Sequence, residues 1–232
     1  LRMLEAHEPG LDMEIVVVCQ DAAGDLPATK GRCVVVELGS PDFRKGLMVN
    51  RGVGASSRDV VVLLDGDRVN RPRYLEEAAG RLSSIGGVVA PIAIRNLPGP
   101  CGDDALSAAL AGGASLPGAD EFRHFPPGFF HKTHFSGNAI MRRRDFDAVG
   151  GMDASYSGYG FSDNDFAMAC YRFGMRLHFS PAMDLHLWHP RECGEEAYMR
   201  QNCGNGVFFC KKWGVWPDPS SCPPGFQASM LH

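Results

Sequence analysis

The residues best suited to chemistry fall in three short stretches. Asp65-Gly66-Asp67 directly follows the apolar run Val60–Leu64. Two carboxylates one residue apart at the C-terminal end of a strand can turn toward one point beyond a sheet, and Gly66 lets the backbone bend between them. Hard divalent cations such as Mg²⁺ and Mn²⁺ favour carboxylate oxygens and complete their shells with substrate phosphates. The plain alternative is a solvated turn, because Asp-Gly is common in turns. The second stretch is Gly150-Gly151-Met152-Asp153 followed by Gly158–Asp165, GYGFSDND. Glycines ahead of a helix admit a ligand close to the backbone, and acids in a first helical turn sit near the positive end of its dipole. Here the plain alternative is a helix capped by Ser162 and Asp165, with Asp163 complementing the dipole. The third stretch is His186-Leu187-Trp188-His189-Pro190. Imidazole suits transition metals, Mn²⁺ included. Trp188 either stacks on a sugar or joins the core. His124, His131 and His134 lie in an aromatic, Pro-rich segment, and their spacing is compatible with a cleft lining or a zinc cluster.

These stretches need elements to position them. Glu14–Cys19, Cys33–Leu38 and Asp59–Leu64 read as strands, and their continuous β-branched runs suggest coverage on both faces, as in a parallel α/β sheet. Phe43–Arg51 reads as a short helix. A longer helix follows Pro72 and ends at Gly86-Gly87, and Val88–Ile94 is a further strand. Residues 96–120 lose periodicity and read as a loop. Phe135–Met141 reads as a strand, Arg143–Val149 as a short helix and Ser162–Phe173 as a helix with Ser162 as its N-cap. Leu177–Phe179 and Met183–Leu187 read as short strands, and Glu195–Lys212 as a helix before a Pro/Ser/Cys-rich end.

The 232 residues suit one domain or two small ones, and 44% hydrophobic residues are enough for a packed core. Lys+Arg is 23 against 27 Asp+Glu, with no basic block, which argues against a nucleic-acid partner. The apolar runs are strand-sized and too short for a membrane span. The chain starts at Leu1 rather than Met, so it carries no information on targeting. Its 8 cysteines include no C-x-x-C pair, and the four within Cys193–Cys222 are compatible with disulfides or with free thiols.

Taken together, the segments resemble GT-A glycosyltransferases, in particular glycosyltransferase family 2 and the galactosyltransferase and chondroitin-synthase type catalytic domains. The matching residues are Phe43–Gly52, Val60–Asp67, Ser136–Arg142, Val149–Asp153, Gly158–Asp165 and His186–Cys193, in family order. The resemblance implies a Rossmann-like α/β fold with a mixed, mainly parallel sheet flanked by helices. Residues 1–190 would form the catalytic domain, and 191–232 a helical, Cys/Pro-rich tail on the same domain. It also implies a hexosyl- or N-acetylhexosaminyltransferase that moves a sugar from a nucleotide-sugar, most often a UDP-sugar, to a glycan or other hydroxyl acceptor. Mn²⁺ or Mg²⁺ would be held by Asp67 and His186, with His189 the alternative. Asp163 falls where inverting members keep the base. Lys45, Asn50, Asp65, Gly137 and Asn138 would line the donor, and Gly160, Ser162 and Trp188 the acceptor.

The sequence departs from the family in three places. Ser162 stands where the family usually has Glu before the base. The family's first strand is expected ahead of Leu1. The second strand ends in Cys19-Gln20-Asp21 where acids that approach the base are usual. Of these, Ser162 and the first strand expected ahead of Leu1 favour the alternative of a non-catalytic carbohydrate-binding or partner subunit. The compartment stays open between a Golgi-type lumen and bacterial cytoplasm.

Overall fold

A computed structural model describes residues 1–21, 24, 32–39, 42–112, 120–123, 137–190 and 193–214. In chain order the elements are α1 (Arg2–His7), β1 (Glu14–Cys19), β2 (Arg32–Glu37), α2 (Lys45–Ala55), β3 (Val60–Leu64), β4 (Arg68–Val69), α3 (Tyr74–Ile85) and β5 (Val88–Asn96). They continue with α4 (Asp103–Gly112), β6 (Asp120–Arg123), β7 (Asn138–Arg142), α5 (Arg143–Val149), α6 (Ser162–Arg172), β8 (Leu177–His186) and α7 (Glu195–Trp213).

Strands β1 and β2 pair in parallel as a small sheet. The larger sheet runs β3-β7-β5-β8-β4, with β6 on β5. The α/β character and mixed sheet agree with the sequence reading, but the balance of directions is corrected. In the larger sheet only β5 and β8 run parallel, and the other four ladders are antiparallel. Two of these four ladders belong to β7, which lies antiparallel between β3 and β5.

Coverage of both faces is realised at β5, where helices lie on either side. Val88 and Ala90 join a core with Phe146 of α5 and Phe166 and Cys170 of α6. Val89 faces the other way, onto Tyr74, Leu75, Ala78 and Leu82 of α3. Each large apolar side chain so buried contributes about 1.5–3 kcal/mol. Strand β3 alternates instead: Val61 and Leu63 are buried in the core with Phe146 and Phe166, while Val60 and Val62 on the opposite face are exposed.

Three further expectations are corrected. Residues 103–112 form a helix within the segment read as a loop; its inward positions Leu106 and Ala109 pack on Leu185. The two short strands near residue 180 are one, β8, with an irregularity in its ladder opposite Pro91–Ala93. The cap of α6 is Phe161, in the left-handed region at φ +63°, and Ser162 is the first helical residue with no side-chain capping bond. The His124, His131 and His134 reading and the Pro/Ser/Cys-rich end lie outside the described residues. The cysteines of the described segments are free thiols. Among the described residues no helix is long and apolar enough to cross a membrane.

Two close approaches bring α2 to the 150–154 segment. A Cβ on Gly46 would lie 2.4 Å from the Asp153 carbonyl oxygen, so only glycine allows that contact. Asn50 then clamps Met152, donating to its carbonyl at 2.7 Å and accepting from its N–H at 2.9 Å. Asp153 in turn accepts from Lys212 at 2.7 Å. Burial works against the Asp153 charge, but the Lys212 ammonium and the Ser155 N–H outweigh it and hold the carboxyl below its ordinary value. An acid with a depressed folded pKa stabilises the protein fully above its unfolded value and loses that contribution as pH falls through the folded one. Asp153→Asn is therefore expected to lower the urea midpoint at pH 7, and the gap from the unsubstituted protein should shrink as pH falls below the ordinary aspartate value. Urea titrations at pH 7 and through the acid range check this.

Candidate active site

The turn after β3 is built so that its two acids face different partners. The Asp65 N–H donates to the Gly137 carbonyl at 2.9 Å, and Arg68 N–H closes the turn on the Asp65 carbonyl at 3.0 Å. Gly137 has to be bare: a Cβ there would stand 2.6 Å from Asp65 Oδ2 and 3.0 Å from Arg68 Nη2. Asp65 thereby reaches Lys45 at the start of α2, with Nζ to Oδ1 at 2.8 Å. The same ammonium lies 2.8 Å from Asp163 Oδ1, in the first turn of α6. Burial opposes charge on Lys45, but Asp163 and Asp65 together outweigh it and raise its pKa above the usual lysine value. Lys45 is thus a fixed cation joining two carboxylates nearly 100 positions apart in the sequence.

Asp67 faces the end of β8. Its carbonyl accepts from the Leu187 N–H at 2.7 Å, which draws the histidine segment against the turn. Its Oδ2 lies 3.1 Å from His186 Nε2 and 3.2 Å from His189 Nε2, and the two imidazoles stand edge to face. Burial opposes the Asp67 charge, but the His186 hydrogen bond and the nearby Arg68 and His189 outweigh it and hold the carboxyl below the usual range. Asp67, His186 and His189 each offer a ligand atom within 4.8 Å of the others. Asp67 Oδ1 is buried with no hydrogen-bond partner, an acceptor left over for a cation. One carboxylate with two imidazoles is a donor set that suits Mn²⁺, so the residues fit the group that the sequence implied.

A buried polar cluster supports this turn. Asp184 of β8 is fully buried and accepts from Asn138 at 2.6 Å and Asn70 at 2.9 Å. Burial pushes its carboxyl up to about 6 against the pull of those amides and of Arg68. Sequence reasoning missed Asp184 and Arg68. A lone acid in an apolar strand, MDLH, and a basic residue one position past Asp-Gly-Asp were the available signals.

The remaining expected site residues divide. Lys45, Asp65, Gly137, Asp67, His186, His189 and Asp163 come together through the contacts above. Asn138 is turned onto Asp184 and is 2% exposed. Both polar ends of the Asn50 amide are engaged by Met152, so it secures the fold rather than facing a ligand. Gly160, at φ +96°, faces α7: a Cβ there would meet Asn202 at 2.4 Å. Ser162 is buried beside it. Trp188 is 46% exposed, which decides between the two readings of that residue in favour of a surface ring beside the histidines.

Comparisons with known proteins fall on the class that the sequence resembles. Residues 118–189 match the family described as the N-terminal domain of galactosyltransferase. Among solved structures, GalNAc-T7 in a crystal with UDP, GalNAc and Mn²⁺ is similar over 94% of this chain and 48% of its own, at 15% identity and a TM-score of 0.55. Drosophila beta1,4-galactosyltransferase 7, crystallised with xylobiose, aligns over 73% of this chain and 65% of its own, at 16% identity and a TM-score of 0.44. TarS of S. aureus aligns over 88% and 65%, at 13% identity and a TM-score of 0.46. A search of curated proteins finds no match. The chain spans about half the length of the GalNAc-T7 chain. The GT-A fold expected from the sequence is borne out, and the matches are to glycosyltransferases, as the resemblance implies.

If Asp67, His186 and His189 hold one ion, added Mn²⁺ should lose its free-ion electron paramagnetic resonance signal in proportion to the protein. His186→Ala and His189→Ala should each weaken that binding by about tenfold, or about 1.4 kcal/mol. Undiminished binding in both variants would place the ion elsewhere.

Proposed function

We propose that this chain is a metal-dependent glycosyltransferase that moves a sugar from a UDP-sugar to a hydroxyl acceptor with inversion, and that Asp163 is its base. The observation that carries the reading is the double engagement of Lys45. One ammonium holds Asp65, next to the cation set, and Asp163, at the head of α6, at 2.8 Å each. Three segments distant in sequence thereby share one place, as a transfer between two substrates requires. The UDP and Mn²⁺ present with GalNAc-T7 support the donor and metal classes.

Asp67, His186 and His189 would hold the cation. When bound, that ion supplies charge neutralisation for the diphosphate leaving group. The acceptor oxygen attacks the anomeric carbon from the face opposite the diphosphate. The carbon–oxygen bond to the diphosphate breaks with its electron pair, and Asp163 takes the acceptor's proton. Lys45 fixes the direction of the Asp163 carboxylate through their 2.8 Å contact. Gly137 keeps space for Asp65 at the donor side, and the exposed Trp188 ring offers a stacking face beside the histidines.

A second reading, a non-catalytic carbohydrate-binding subunit, is favoured by Ser162, which supplies no carboxylate beside Asp163. The two part company on UDP release. The transferase reading expects UDP release from UDP-Gal or UDP-GalNAc with Mn²⁺, and UDP binding without release supports the subunit. Asp163→Asn is expected to lower turnover by about 10²–10⁴-fold while calorimetry finds UDP–Mn²⁺ affinity little changed. Asp67→Ala should instead abolish the Mn²⁺-dependent part of UDP binding. Wild-type turnover by Asp163→Asn would remove that residue as the base.

A further inference from the structure

Helix α7 grips the segment that leads to Asp163, and nothing in the proposed chemistry uses it. Gln201 Oε1 accepts the Tyr159 N–H at 3.2 Å. The Asn205 amide reaches the carbonyls of Ser157 and Tyr159 at 3.0 Å and of Gly160 at 3.1 Å. The Phe209 ring lies 5.7 Å from that of Phe161. Lys212 Nζ and Trp213 Nε1 donate to Asp165 at 2.9 and 2.6 Å. Residues 201, 205, 209 and 212 recur at helical spacing, so a single face of α7 makes this whole set of contacts.

The segment needs such a hold. Phe161 caps α6 at φ +63°, a conformation unfavourable for a bulky side chain, and α6 has no side-chain cap of its own. Asp165 is 2% exposed and two residues from Asp163. Its two oxygens are bonded by Tyr156 at 3.0 Å, Trp213 and Lys212. A buried carboxylate with three donors is fixed in direction, and because Asp165 and Asp163 share the first turn of α6, these bonds tie the backbone of that turn to α7.

We propose that α7 is a positioning element for Asp163: Trp213 and Lys212 act through Asp165, and Asn205 acts through the carbonyls of residues 157–160. None of the three is a catalytic residue. The inference rests on the reading of Asp163 as base. It adds that the alignment of this base against Asp65 and Lys45 is set by a helix about 40 residues further along the chain.

The test uses Trp213→Phe, which keeps a ring but removes the N–H, and Asn205→Ala, which removes the amide. Lys212→Arg and Lys212→Met form a rescue pair. Turnover is read as UDP release from UDP-Gal and UDP-GalNAc with Mn²⁺, binding as the Kd of UDP with Mn²⁺, and local order as hydrogen–deuterium exchange. Trp213→Phe and Asn205→Ala should each lower kcat by about tenfold or more, with KM for the donor and Kd for UDP within about twofold. Exchange should rise in residues 157–165 and stay unchanged in β5 and α3. Lys212→Arg should keep most of the turnover that Lys212→Met loses. Unchanged kcat and exchange in folded Trp213→Phe and Asn205→Ala overturn the inference. Loss of the whole fold in both also overturns it, since the role is then structural. Asp163→Asn separates the two claims: if it turns over normally, the base reading fails and this inference with it. If it is inactive while the α7 variants match the unsubstituted protein, only the inference fails.

Discussion

An ammonium group with 15% of its side chain exposed keeps its charge only beside groups of opposite sign, and Lys45 has two, each at 2.8 Å. That constraint organises the centre of the molecule. Asp65 must come to Lys45, so the turn after β3 must bend over a bare Gly137. Asp163 must come to it as well, so the head of α6 must face the start of α2. The start of α2 can lie there because Gly46 lets it touch the Asp153 carbonyl and Asn50 clamps Met152. If either carboxylate is taken away, the ammonium is left half-compensated, with a penalty of a few kcal/mol typical of broken buried pairs.

The second cluster, Asp67 with His186 and His189, is more open: the two imidazoles have 31% and 43% of their side chains exposed. Its three ligand atoms come from a turn and a strand end, tied by the backbone bond from Leu187 to Asp67. Behind it, the Asn70 and Asn138 amides both donate to Asp184, which joins β8 to β7 and to the residue after β4. A buried polar cluster behind a more exposed rim suits the proposed site, where a cation and a charged donor would enter at the rim.

Much of this was legible in the sequence because the chemistry sits at element ends, where residue types are restricted. Asp-Gly-Asp after an apolar run, glycines before an acidic helix start, and paired histidines after a strand each named a local geometry, and the fold joined them. What could not be read was pairing at a distance. Sheet direction depended on where β7 re-entered after 97–137, and apolar runs such as VVVLL look alike in parallel and antiparallel ladders. Helix 103–112 was hidden by its small Ala and Ser residues. The local pattern around Asn50 gives no sign of its partner Met152, which lies about 100 residues away. The contacts of Gln201 and Asn205 with residues 157–160 likewise leave no mark in the local pattern of α7.

The central claim is that Lys45 and the two acids it joins border the same cleft as Asp67 and the histidines. Crystals soaked with MnCl₂ and UDP and measured at the manganese edge test it directly. The account predicts one anomalous peak bonded to Asp67 and His186 or His189, with the UDP diphosphate on the side of that ion facing Lys45 and Asp163. A peak away from Asp67, or a diphosphate bound on a face remote from Lys45, would contradict it.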